Sequence, residues 1–186
     1  MLNQLEAVVR EIEAHAAESG WDRGAGLYAL VPTAELAAAE PALAAQLGLS
    51  ADAAGFTPID QELPADRDLE DELSRMSWPE EVAGCAAVVE RLVLPPSAEA
   101  EIPEEPGAAQ TFAAQHPERQ ELRLVAAALR DGTTCCAMRF RSHDEAASVV
   151  VGPDLVPTLL ELLQTTLAGS VESEHSADPD REESQQ

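Results

Sequence analysis

The chain has 186 residues, the size of one domain, and at this length folding buries roughly 70% of the surface that the unfolded chain exposes. Hydrophobic residues make up 45% and aromatics only 3%, so the predicted core is aliphatic, built from Leu, Val and Ala. The formal charge is −24, with 35 acidic residues against 11 basic ones, all of them Arg; such a surface repels phosphate and anionic lipid, which argues against nucleic acid or a membrane as partner.

Leu2, Leu5, Val9 and Ile12 recur at helical spacing among charged residues and predict an amphipathic helix that Gly20 ends. Leu27 to Val31, bounded by Gly26 and Pro32, predicts a buried strand, after which Thr33 is placed to cap a helix from Ala34 to Leu47. Pro41 removes an amide donor inside that helix, so a kink or two short helices is expected there. Phe56 to Leu63 reads as an extended segment that Pro58 confines to a sheet edge. Asp66 is expected to cap a helix carrying the stripe Leu69, Leu73 and Met76.

Val82 to Leu94 reads as a long strand that Pro95-Pro96 terminates. Residues 97–120, with Pro103, Pro106 and several Glu, read as an exposed acidic insertion holding at most a short helix near Ala108 to Gln115. Leu122 to Leu129 and Thr134 to Phe140 flank Asp131-Gly132, a dipeptide suited to a two-residue hairpin turn. That loop length sets Arg130 against Thr133, Val125 against Met138, Ala127 against Cys136 and Leu124 against Arg139. Val149 to Val151 predicts a last short strand, and Leu155 to Leu167 a heavily buried helix with Pro157 in its first turn. Residues 169–186 are almost wholly polar and read as a disordered acidic tail following one α+β domain over 2–168.

Three cysteines, Cys85, Cys135 and Cys136, are an odd number in apolar stretches and read as small buried hydrophobes; no metal ligand set and no cofactor are expected, and no catalytic residue is assigned. Cys135 and Cys136 are strand neighbours that point to opposite faces, so they do not readily share one ion or close a relaxed disulfide. With no basic leader and no window of roughly 18 apolar residues, a cytoplasmic location is expected. Arg139, Arg141 and His143 are the candidate residues for an anionic ligand, since guanidinium groups bind carboxylate or phosphate through paired hydrogen bonds; the competing reading is that these charges pair with the abundant carboxylates. Asp60 and Glu62 share a strand face, which reads as a solvated edge. Trp21 and Trp78 each follow a helix and either seal a core or anchor an interface.

Taken together, Trp21-Asp22, the run Tyr28 to Leu36, Val88 to Pro96 and Gly152 to Pro157 resemble a family of uncharacterised actinobacterial proteins of similar length, over Leu2 to Leu167. The resemblance implies a cytoplasmic protein of a high-GC bacterium and brings no activity with it. The expected fold is α+β, a mainly antiparallel sheet of about five strands with helices on at least one face. The expected role is a non-enzymatic protein-interaction module, binding another protein or a second copy of itself. The alternative is a protein or enzyme that holds an anionic small molecule with Arg139, Arg141 and His143.

Overall fold

Helix α1, Leu2–Glu18, buries Leu5, Val8, Val9 and Ile12 along one stripe. Gly20 closes it with φ +83, a conformation that costs glycine nothing, and its amide donates to Ala17 O at 3.1 Å. The computed structural model describes residues 2–50, 52–64 and 67–168; the caps and tail expected at Asp66 and 169–186 lie outside them. Strand β1 is Gly26–Pro32, and helices α2, Thr33–Ala39, and α3, Pro41–Leu47, divide where Pro41 requires it. Thr33 is not the cap but the first helical residue, buried with its hydroxyl 3.0 Å from that of Thr57. Strand β2, Phe56–Gln61, is an edge strand, as Pro58 demands, and helix α4 is the single turn Leu69–Leu73.

Strand β3, Gly84–Val93, ends before Pro95-Pro96. A 3₁₀ turn, Pro96–Glu101, and helix α5, Pro106–Gln115, then cross the segment expected to hold only a short helix. Strands β4, Gln120–Leu129, β5, Thr134–Phe140, and β6, Val150–Gly152, precede helix α6, Pro157–Ala168. The six strands form one sheet in the order β2-β1-β3-β4-β5-β6, every neighbouring pair antiparallel. The architecture is α+β, with six strands where about five were expected.

The β4–β5 hairpin departs from its expected register by one residue. Leu129 N donates to Thr133 O at 2.9 Å and Gly132 N to Leu129 O at 3.0 Å, so the loop is Arg130-Asp131-Gly132, three residues and not two. Only Gly132, at φ +85, is left-handed, and Asp131 is not, which excludes the two-residue turn with both residues at positive φ and fits a three-residue loop ending in a left-handed glycine. Val125 therefore faces Ala137, Ala127 faces Cys135 and Leu124 faces Met138, while Arg139 stands opposite Arg123. A slip of one residue moves every side chain of a strand to the other face. Here it carries Arg139 to the side of α1 and Met138 to the side of α6.

Both faces of the sheet are covered. Leu5, Val8, Val9 and Ile12 of α1 pack on Leu30, Val88, Val125 and Ala137, and α4 and α6 bury Leu69, Leu73, Leu160 and Leu163 against Leu27, Val89, Leu124 and Ala126. The sheet centre is built from small residues, Ala86, Ala87, Ala126 and Ala127, all fully buried, which lets helices approach closely from both sides. Cys135 lies on the α1 face and Cys136 on the other, both buried and free. Arg130, in the hairpin loop, donates to the carbonyls of Val82 at 2.8 Å, Trp78 at 2.9 Å and Pro79 at 2.7 Å and to that of Leu167, and so ties the hairpin to the end of α6.

Candidate functional site

Strand register places Glu90, Arg123 and Arg139 side by side across β3, β4 and β5 on the α1 face. Two guanidinium groups directly opposite one another repel, and the surroundings answer with carboxylates. Glu13 of α1, buried at 3% exposure, accepts two hydrogen bonds from Arg139, at 2.6 and 2.7 Å, and Asp144 a third at 3.2 Å. These contacts raise the Arg139 pKa, the Glu13 bond foremost, so the guanidinium is permanently charged. Arg123 bonds Glu90 at 3.2 Å and the Gly20 carbonyl that ends α1.

Trp21 lies against this row. Its ring centroid is 4.3 Å from the Arg123 guanidinium carbon and 5.6 Å from that of Arg141, and its indole N–H donates to Asp144 Oδ2 at 2.8 Å. Asp22 adopts φ +63, uncommon for a residue with a side chain but tolerated by Asp. Its amide donates to Glu90 at 2.8 Å, while its carboxylate accepts two bonds from Arg141, at 2.9 and 2.8 Å. Glu121 takes a further bond from Arg141 at 2.6 Å. Bonds to Arg141 and to Trp21 hold the Asp22 and Asp144 carboxyls, respectively, below their ordinary range.

The structure thus brings Arg139, Arg141 and Trp21 of the expected site residues together, and sets His143 and Trp78 apart. His143 is exposed, with Nδ1 2.9 Å from Ser142 Oγ, and Asp144 turns to Trp21 and Arg139 instead of to the imidazole. Trp78 is buried in the core beneath α6, its backbone amide bonded to Thr166 O at 3.0 Å, and so offers no ring at the surface. Asp60 stands on the β2 edge opposite Tyr28, and Glu62 lies beyond the strand. Glu13, Glu90 and Arg123 were not singled out from sequence, although Glu13 follows Leu5 and Val9 at four-residue steps along a buried stripe and there had to meet a cation.

A second feature lies on the opposite face. Strands β3 and β4 have ten residues each and run about 33 Å, whereas α6, with 12 residues, is about 18 Å long and α4 is a single turn. The helices therefore leave part of the apolar face uncovered. The result is a cleft of about 600 Å³ floored by Val89, Leu122, Leu124 and Met138, walled by Leu155 and Leu162, with the ion pair Glu70–Arg91 at its mouth. Its size and apolar lining are those of a binding cleft.

A six-stranded antiparallel sheet with helices on both faces, a paired arginine–tryptophan cluster on one and an apolar cleft on the other defines an α+β protein. The chain belongs to the family described as PPA1309-like protein, whose model matches residues 5–168. No curated protein and no solved structure matches it. Among the described residues no helix is long and apolar enough to cross a membrane, and no group of three or more His, Cys, Asp or Glu is placed to hold a metal ion.

Proposed function

We propose that the protein is a non-enzymatic interaction module that binds a basic, amphipathic segment of another protein. The apolar cleft beside α6 carries this reading: Met138, Leu155 and Leu162 are only partly buried where the helices fall short, over a floor of Val89 and Leu124, in a chain of charge −24. Apolar residues of the partner fill the cleft, and its arginines and lysines are drawn by the net negative charge of the chain, a division of labour in which burial holds the complex and charge speeds its formation. The acidic insertion at 97–120, within the one domain over 2–168, and the acidic residues of 169–186 that follow it add to that charge. The cytoplasm of a high-GC actinobacterium is the setting, on the strength of the family resemblance and the use of Arg without Lys. Recognition of an anion by Arg139, Arg141 and His143 is the weaker reading, because carboxylates of the chain already engage both guanidinium groups.

The test is fluorescence anisotropy with two labelled synthetic peptides that share their leucines and differ only in carrying arginine or glutamate between them. The arginine peptide is expected to bind and to weaken with salt. Leu162→Glu in the cleft wall is expected to lower its affinity about tenfold. Because that substitution adds a negative charge, weaker binding reports the lost apolar contact. Equal binding of both peptides, or no effect of Leu162→Glu, overturns the proposal.

A further inference from the structure

A hollow on the α1 face lies between the last turns of α1 and the start of β1, apart from the cleft and reaching the charged row at Glu90 and Arg123. On its floor is Gly26, the first residue of β1, which sits opposite Val88 in the sheet. A Cβ there would stand 3.3 Å from the Tyr28 ring and 3.7 Å from Val88 Cβ, so the glycine is what lets the Tyr28 ring lie close against the strand. Between this floor and His15 and Ser19 of α1 lies a cavity of about 280 Å³, several times the roughly 30 Å³ that one water occupies in the liquid.

The two ends of this hollow differ in what they lack. At one end Arg123, 1% exposed, bonds Gly20 O and Glu90 through Nη2, while its Nη1 has no hydrogen-bond partner among the described residues. A buried cationic donor without an acceptor is an expensive arrangement that a ligand oxygen relieves. At the other end Asp60, on β2, faces Tyr28 across the strand pair and supplies a carboxylate. Burial and then the Asp60 charge raise the Tyr28 pKa, so its phenol stays neutral and able to donate or accept.

Arg23 also lines the hollow, exposed and with its Nε spent on Ser19 O at 2.9 Å; beyond it a simple anion meets two carboxylates, Asp60 and Glu90, and a simple cation leaves Nη1 unanswered. Both ends are satisfied by one molecule with a positive and a negative terminus. Asp60 and Arg123 stand on β2 and β4, three strand spacings apart and, since Asp60 lies in register with Ala127, four residues offset along the strands, roughly 20 Å at the backbone, of which the arginine side chain spans only part. The amine and carboxylate of the ligand are therefore several bonds apart. We infer that the hollow between Gly26, Asp60 and Arg123 binds a small zwitterion of this kind, an ω-amino carboxylate or a short peptide, its carboxylate on Arg123 and its ammonium on Asp60.

The test is isothermal titration of the full chain with β-alanine, γ-aminobutyrate, longer ω-amino carboxylates and diglycine. Pentanoate and pentylamine serve as one-ended controls and norvaline as the α-amino acid control. Affinity is expected to pass through an optimum with chain length and to fall about tenfold or more for each control, since each forgoes one charged hydrogen bond. Asp60→Asn, at an exposed position, is expected to lower affinity for the best ligand about tenfold while circular dichroism stays unchanged. Tyr28→Phe is expected to weaken it by a smaller factor. Arg123 is not substituted, because its loss would disturb the fold. No binding at millimolar concentration, equal affinity for one-ended and two-ended molecules, or a crystal soaked with the best ligand that shows only water at Nη1 would overturn the inference.

Discussion

Replacing Glu13 by glutamine tests how the charged row is held. Arg139 is 5% exposed and Glu13 3%, and two short hydrogen bonds join them. Removing one partner of a buried pair strands the other charge, an effect of about 3–5 kcal/mol. Asp144 remains on Arg139 at 3.2 Å and is itself half in solvent, which moderates the loss to about 3 kcal/mol. For a chain of this size that amounts to a fall in Tm of roughly 6–12 °C. Urea unfolding followed by circular dichroism measures it, with the denaturant slope unchanged if only stability is altered. The companion variant, Glu13→Met with Arg139→Met, removes both charges and fills the space with apolar atoms. It is expected to recover most of the loss, because desolvation of the pair offsets much of its attraction. If the glutamine variant lost under about 1 kcal/mol, or the double variant proved no more stable than the single, the claim that Glu13 and Arg139 form a buried pair whose breaking strands a charge would be wrong.

Three further predictions follow from other contacts. Gly84→Ala places a Cβ 2.5 Å from both Ala128 O and Leu129 Cδ2, a clash with backbone that should destabilise by about 1–3 kcal/mol, read from the urea midpoint. Asp22 and Asp144 titrate below 3.8 in the folded protein, so the stability they contribute is complete above about pH 5 and is lost as pH falls below about 4. Asp144→Asn should flatten that part of the stability profile, and an unchanged profile would contradict the assignment. Burial pushes the Cys85 and Cys135 thiols up to about 11 and raises Cys136 as well, so at pH 8 roughly one thiol in a thousand is ionised at either of the first two. Iodoacetamide should label all three only after unfolding, and labelling of the native protein would count against their packing role.

Much of the sheet was legible in the sequence because local chemistry specifies it. Pro41 divided a helix, Pro58 kept β2 at an edge and Pro95-Pro96 closed β3. The hairpin register was not legible, since Asp131-Gly132 fits both a two-residue turn and the last two positions of a three-residue loop; the choice rests on whether Asp131 takes positive φ, which residue type alone does not decide. That single step hid the arginine row. With Leu124 set against Arg139, the meeting of Arg139 and Arg123 could not be foreseen, nor could the role of Glu90 beside them. Pairing of the arginines with carboxylates was weighed from composition, but the partners are up to 126 residues away in the chain, a separation no local pattern reports. The cleft was likewise invisible, because it comes from the difference in length between strands and the helices that dock on them.

The packing of α1 on β5 also bears on the order in which the molecule is completed during synthesis. Glu13 and Arg139 are 126 residues apart, and at about 5–20 residues per second the ribosome needs roughly 6–25 s to deliver the arginine after the glutamate. Throughout that interval the stripe Leu5, Val8, Val9 and Ile12 has at most the β1, β3 and β4 part of its sheet, without β5, to cover it. The meander from β3 to β6 joins strands that follow one another in the chain and can pair as each emerges. The helix made first is therefore among the last to be enclosed, and a nascent chain stopped before Thr134 carries an apolar surface that the finished protein never shows.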